Sequence, residues 1–333
     1  MKKQHKSFVV IGGGTGTFSV LNGLKKFTDH VTAIVSMADS GGSARKERDE
    51  WGLLPSSDIR KSLLALADVS AKDSLILRRL FEYRFAKGRG LSGMTFGNLF
   101  LVALSNIVDS QTKAIEMASE LLRIKGKVLP VTLEKTDLVA HYNNGQIITG
   151  EHNIDDPKQK DFPRITKFYT KPQAFVYSQV KKEIETADVI IIGPGGFYTT
   201  VIANLVINGV TEAIIKNRGK KIYILNLMTE YGQTYKFTAA TFIRQLDKYL
   251  PVNVLDYVLI NNAPISQDIL KRYKRTYAEP VFNDLTGKWP FKVVSADLLS
   301  EKIVIKEKGD RLKRSLIRHS PEKIAQICLN LAN

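Results

Sequence analysis

Cysteine is almost absent. Cys328 is the only one in 333 residues, so no intrachain disulfide forms and no cysteine-built zinc cluster is possible. The five histidines (His5, His30, His141, His152, His319) show no short metal-ligand pairing, and no Gly-x-Ser-x-Gly elbow occurs. Long apolar runs are missing too. The basic start is followed only by Phe8-Val9-Val10-Ile11 before glycines begin, too short for a signal peptide. No later run approaches the roughly 20 apolar residues of a membrane span. Recognition-helix, RRM and zinc-finger signatures are lacking, which argues against sequence-specific nucleic-acid binding. These absences predict a reduced, water-soluble, cytoplasmic protein.

What is abundant is base. Lys and Arg number 49 against 33 Asp and Glu, a formal net charge of +16. Nucleic acid, an anionic membrane surface and small phosphorylated ligands all fit that surplus. One basic cluster is Lys271-Arg272-Tyr273-Lys274-Arg275. Another spans residues 302–318, with seven basic residues against Glu307 and Asp310. At 44% hydrophobic and 25% charged, the composition is that of a globular chain, and its length suffices for one large α/β domain. No linker divides it, so residues 1–333 read as a single domain.

The β-branched run at residues 8–11 predicts a buried strand of a parallel sheet. Phe18, Leu21, Leu24 and Phe27 then recur every three residues, as on an amphipathic helix, and residues 31–36 read as a second strand. This is a βαβ unit. Helices are expected near 58–67, 74–85, 96–108 and 114–124. Residues 128–133, 137–142 and 146–149 read as strands, with Asn143-Asn144-Gly145 as a hairpin turn. They define an expected β-rich flap at about 127–170. The α/β alternation resumes with strands at 188–192, 221–226 and 255–260, helices at 198–206 and 238–249, and a closing helix at 321–331.

Gly12-Gly13-Gly14-Thr15-Gly16-Thr17 lies between the first strand and helix. Glycine lets a backbone approach a ligand closely, and a helix start offers unpaired N–H groups, so a diphosphate is the natural guest. Thr17 stands where a dinucleotide fingerprint needs its third glycine, and no Lys-Ser or Lys-Thr pair makes a Walker loop. A tight turn with nothing bound is the alternative. Asp39-Ser40-Gly41-Gly42-Ser43-Ala44-Arg45 follows the second strand, at the edge where open sheets bind ligands. Asp39 suits a ribose hydroxyl or magnesium, and Arg45 suits phosphate. Asp58 reads as an N-cap or first-turn helix acid. Gly193-Pro194-Gly195-Gly196-Phe197-Tyr198-Thr199-Thr200 is another glycine loop after a buried strand. Asn98, at a further helix entrance, suits a ligand contact or a cap.

Taken together, Ile-Gly-Gly-Gly-Thr-Gly at 11–16, Ala-Asp-x-Gly-Gly-Ser at 38–43, Leu-Pro-x-x-Asp-Ile-Arg at 54–60, Phe-Gly-Asn at 96–98 and Gly-Pro-Gly-x-x-Tyr-Thr at 193–199 resemble the YvcK proteins, or gluconeogenesis factors. These belong to the CofD-like superfamily, with the phospholactate transferases of deazaflavin-cofactor synthesis. The resemblance runs from Val9 to about Lys323. It implies a Rossmann-like α/β fold, a mostly parallel sheet with helices on both faces and a small β-rich insertion. It also implies a crevice for a nucleotide-linked ligand, of the UDP-N-acetylglucosamine type in the YvcK branch, with a role in carbon metabolism, cell-wall synthesis and cell shape. By motif, the two glycine loops meet phosphate, and Asn226, Tyr273 and Arg318 join the nucleotide-sugar contacts. In the transferase branch, magnesium near Asp39 and Asp58 would assist transfer of an activated phosphate group to a deazaflavin hydroxyl.

The chain departs from that pattern in places. Asp39-Ser40 replaces two successive aspartates, and Tyr231-Gly232-Gln233-Thr234-Tyr235 replaces Pro-Gly-Glu-Thr-Asp. A basic insertion appears at about 306–315. Fewer acids and more base around an anion site favour binding over a two-carboxylate metal mechanism. Whether the chain forms a homo-oligomer is left open.

Overall fold

The computed structural model describes residues 5–38, 47, 49–70, 72–88, 90–155, 163–301 and 315–333. Asp39, Ser40, Gly41, Gly42, Ser43 and Arg45 lie outside them, as does the basic insertion up to residue 314. The strands are β1 (Phe8–Gly12), β2 (Val31–Val35), β3 (Lys127–Pro130), β4 (Asp137–Tyr142), β5 (Ile147–Thr149), β6 (Ile165–Lys171), β7 (Val189–Ile192), β8 (Lys220–Ile224), β9 (Tyr257–Asn261) and β10 (Lys292–Ala296). Seven form one parallel sheet in the order β10-β9-β8-β7-β1-β2-β3, and a three-stranded antiparallel sheet runs β5-β4-β6. The helices used below are α1 (Gly14–Leu24), α2 (Ser57–Leu66), α3 (Lys72–Glu82), α4 (Phe96–Val108), α5 (Gln111–Leu121), α6 (Ser178–Thr186), α7 (Val210–Lys216), α8 (Ala239–Leu246), α9 (Gln267–Lys274) and α10 (Pro321–Ala332).

Strand side chains alternate between two cores, as the two-residue period requires. Val9, Ile11, Ile190 and Ile192 enter one, with Phe197, Phe242 and the flap's Phe168. Phe8, Val10, Val189 and Ile191 enter the other, with Leu21 of α1, Leu63 of α2 and Cys328 of α10. Both faces are covered, which is why these strands read as unbroken apolar runs. The result is an α/β Rossmann-like fold. Among the described residues no helix is long and apolar enough to cross a membrane.

Some elements differ from expectation. Residues 127–130, grouped above with the flap, form the edge strand β3 of the main sheet, paired in parallel with β2. The antiparallel sheet starts only at β4. The helix expected at 198–206 is π-helical over Phe197–Ile202 before an α-helical turn at Ala203–Leu205.

Candidate functional site

β1 and β7 are neighbours, with Ile11 opposite Ile192, so their glycine loops leave the sheet side by side. From β1 the chain steps outward through β2 to β3; it returns at β7 and steps the other way to β10. The strand order therefore reverses between β1 and β7, the place where open α/β sheets leave a crevice beyond their carboxyl ends. The loops are in contact. Thr17 Oγ1 lies 3.3 Å from Pro194 O and donates to it, and it accepts from Gly13 N–H at 2.7 Å. Gly16 packs so closely that a Cβ there would lie 2.5 Å from Pro194 O. A cleft of about 940 Å³ opens above both loops, the size of a small-molecule site.

Of the expected residues, Gly13, Gly14, Thr15, Gly16, Pro194, Gly195, Gly196 and Thr199 line this cleft, together with Asp58, Asn98, Asn226, Tyr273 and Arg318. Gly12, Thr17, Gly193 and Tyr198 lie behind its wall. Gly12 ends β1, and Thr17 is fully buried in fastening the loops together. Gly193 needs its positive φ of 73° while its N–H continues the ladder to Ile11 O. Tyr198 fills the core edge-on to Phe197, its hydroxyl donating to Gln245 Oε1 at 3.3 Å.

Asn98 is a structural hub. Its Oδ1 accepts from Arg60 Nε at 2.8 Å, and its Nδ2 donates to Glu47 Oε1 at 2.8 Å and Ser57 Oγ at 3.2 Å. The cap of α4 is Thr95, whose Oγ1 accepts from Asn98 N. Glu47, fully buried, also accepts from Ser56 N at 2.7 Å. Arg60 lines the cleft while almost wholly buried, and desolvation, then the nearby Arg84, lowers its pKa to about 10. It remains charged at neutral pH.

Asp58 reaches across from the first turn of α2 to the start of α1. Its Oδ2 accepts from Gly14 N at 3.0 Å and its Oδ1 from Lys61 Nζ at 2.7 Å. Gly13 is what admits it, since a Cβ there would lie 2.3 Å from Asp58 Oδ2. Both oxygens thus already face N–H donors. Among the described residues no three His, Cys, Asp or Glu side chains form a metal-binding group, and Asp39, the other expected metal carboxylate, lies outside them.

Across the cleft, Asn226 Nδ2 donates to Gly195 O at 2.7 Å and steadies the second loop. Tyr273 holds the segment leading into Arg318: its hydroxyl accepts from Leu316 N at 2.8 Å and Ile317 N at 3.2 Å. Burial raises that phenol's pKa, and the two N–H bonds oppose the rise. The flap closes one side, where Asp155 Oδ1 accepts from Thr199 Oγ1 at 2.7 Å and from Gln233 Nε2 at 2.8 Å. His319 also lines the cleft. Its Nε2 lies 3.2 Å from Leu225 O, and a carbonyl can only accept, so that nitrogen carries the proton. Burial lowers its pKa to about 4, leaving the ring neutral at pH 7.

Sequence reasoning missed several wall residues: Arg60, Lys61, Arg84, Arg272, Arg275 and His319. Signals existed for some. Arg60 closes the Leu-Pro-x-x-Asp-Ile-Arg motif, and Arg272 and Arg275 belong to the basic cluster beside Tyr273. Arg84 had none. Counting Arg318, six Arg or Lys side chains face the cleft against four acids, Asp58, Glu151, Asp155 and Glu230.

Comparison with known proteins shows the family. The family model described as 2-phospho-L-lactate transferase CofD matches residues 8–299. A gluconeogenesis factor of Halalkalibacterium halodurans is 36% identical over 330 residues, covering 99% of this chain and 97% of the relative. The gluconeogenesis factor of Bacillus subtilis is 34% identical over 328 residues, covering 98% of each. A crystal structure of a UPF0052 family member from Bacillus halodurans superposes with a TM-score of 0.85 at 33% identity, covering 99% of each chain. With the glycine motifs, the reversal-point crevice and these full-length matches all in agreement, the chain belongs to the gluconeogenesis factor (YvcK) family of the CofD-like superfamily.

Proposed function

We propose that this chain is a cytoplasmic regulatory protein that binds a nucleotide-linked sugar of the UDP-N-acetylglucosamine type. Through that ligand it links carbon metabolism to cell-wall synthesis and cell shape. The observation that carries the reading is the contact between the two glycine loops where the strand order reverses. There the starts of α1 and of the Phe197–Ile202 turn border one cleft with six cationic side chains. A single charge–dipole contact contributes only about 0.3–1 kcal/mol, so a diphosphate is held by several main-chain N–H groups and cations acting together. Both oxygens of Asp58 already accept from N–H donors, which favours binding over metal-assisted group transfer.

Isothermal titration tests this. UDP-N-acetylglucosamine is expected to bind with undiminished affinity in EDTA. Binding only of a guanine nucleotide, and only with magnesium, would replace the regulatory reading with a CofD-like transferase.

A further inference from the structure

The wall built by the loop after β8 differs in chemistry from the rest of the cleft. Around the two glycine loops the lining offers main-chain donors and the cations Arg60 and Lys61, suited to phosphate. In the loop after β8 Tyr231 presents an aromatic ring, backed by Tyr277 at 5.4 Å between centroids and 36° between planes. Tyr235 packs nearly perpendicular to Tyr277, at 6.5 Å and 89°. Two residues beyond Tyr231, Gln233 lines the same cleft and is 3% exposed. Its amide orientation is dictated by chemistry: Nε2 donates to Asp155 Oδ1, a carboxylate oxygen that has no proton to return. The carbonyl Oε1 is therefore the unused half of the amide's capacity: it is buried, and among the described residues no donor meets it. A buried acceptor without a donor is costly to maintain and calls for a partner.

An aromatic face beside an unmet acceptor complements a flat heterocycle carrying an N–H on its edge. We infer that the loop after β8 is the base subsite of the nucleotide: the base stacks on Tyr231 and gives its imino N–H to Gln233 Oε1. The inference rests on the nucleotide reading above and adds the group that selects the base. Uracil N3–H and guanine N1–H both supply such a donor, whereas adenine has no imino N–H. Gln233 Oε1 is buried, so the turn must shift for the base to reach it.

The experiment compares wild type, Tyr231→Ala, Tyr231→Phe and Gln233→Met by calorimetric titration. Probes are UDP and GDP, the imino-methylated analogue of whichever binds tighter, and inorganic pyrophosphate. Wild type should lose about tenfold on methylation, and Gln233→Met should bind the parent and methylated nucleotides alike. Tyr231→Ala should lose about tenfold or more on the nucleotide while Tyr231→Phe keeps its affinity. All four proteins should bind pyrophosphate equally. Nucleotide affinities unchanged in both Tyr231→Ala and Gln233→Met would overturn the subsite and leave the proposed function standing. A parallel loss of pyrophosphate in those variants would also overturn it, by making the residues props of the fold. A wild type that binds pyrophosphate but neither nucleotide would remove the nucleotide reading itself.

Discussion

Asp58 is a carboxylate placed where an anion is wanted. It already accepts the Gly14 N–H that a phosphate oxygen would use, and it engages Lys61, which would otherwise face the guest. Asp58→Asn should therefore bind UDP-N-acetylglucosamine in EDTA at least as tightly as wild type, since a like charge beside the diphosphate is removed. A clear loss of affinity would show that the carboxylate itself holds the ligand. Arg318 is the opposite case, a cation on the wall whose approach is fixed by Tyr273. Arg318→Ala should weaken the same ligand about tenfold or more, and equal affinity would exclude it from the site. His319 acts on stability. Its folded pKa of about 4 lies below the ordinary 6.5, so between those values the unfolded chain takes a proton that the folded chain refuses. Its neutral-ring stability is complete above about pH 6.5 and declines as pH falls toward 4. Melting temperatures across that range should fall more steeply for wild type than for His319→Gln, and parallel curves would contradict the assignment.

Two glycines of α1 separate what the helix does for the site from what it does for the fold. A Cβ at Gly16 would meet Pro194 O at 2.5 Å, and one at Gly23 would meet Pro321 O at 2.1 Å. Either methyl must push backbone apart, at a cost of about 1–3 kcal/mol. Gly16→Ala separates the two glycine loops, whereas Gly23→Ala separates α1 from α10. Both variants should melt earlier, and only Gly16→Ala should lose ligand; retention in Gly16→Ala would mean the loops need not touch. The same distinction shows what was legible beforehand. Buried strands β1, β2, β7, β8 and β9 announce themselves because both faces are covered, and the glycine runs after β1 and β7 mark the crevice. α6, α9 and β10 did not, because SQVKKEIET, QDILKRYK and KVVSA expose much of their surface and carry weak apolar patterns. Thr17 and Tyr198 read as ligand contacts because motif position cannot distinguish a side chain facing the cleft from one turned into the core. Asn98 reads as a contact or cap because its partners Glu47 and Arg60 are 51 and 38 residues away.

Across the whole molecule the surplus of base is 49 minus 33, or +16. The described cleft lining supplies only six cations against four acids, so most of the surplus lies elsewhere. Two electrostatic effects of different range follow. The diffuse field draws any polyanion and is screened over a Debye length of about 10 Å at 0.1 M salt and about 3 Å at 1 M. The cleft acts through short-range hydrogen-bonding contacts, which salt screens far less. Association of UDP-N-acetylglucosamine should therefore slow as salt is raised from 0.1 to about 1 M, while its dissociation rate stays nearly constant. Capture of heparin or bulk RNA should be lost over the same range. Stopped-flow or surface plasmon resonance separates the two rates. A dissociation rate that climbs with salt as steeply as the heparin signal falls would mean that the ligand is held by the general field of a basic protein. The paired glycine loops would then have no part in its capture.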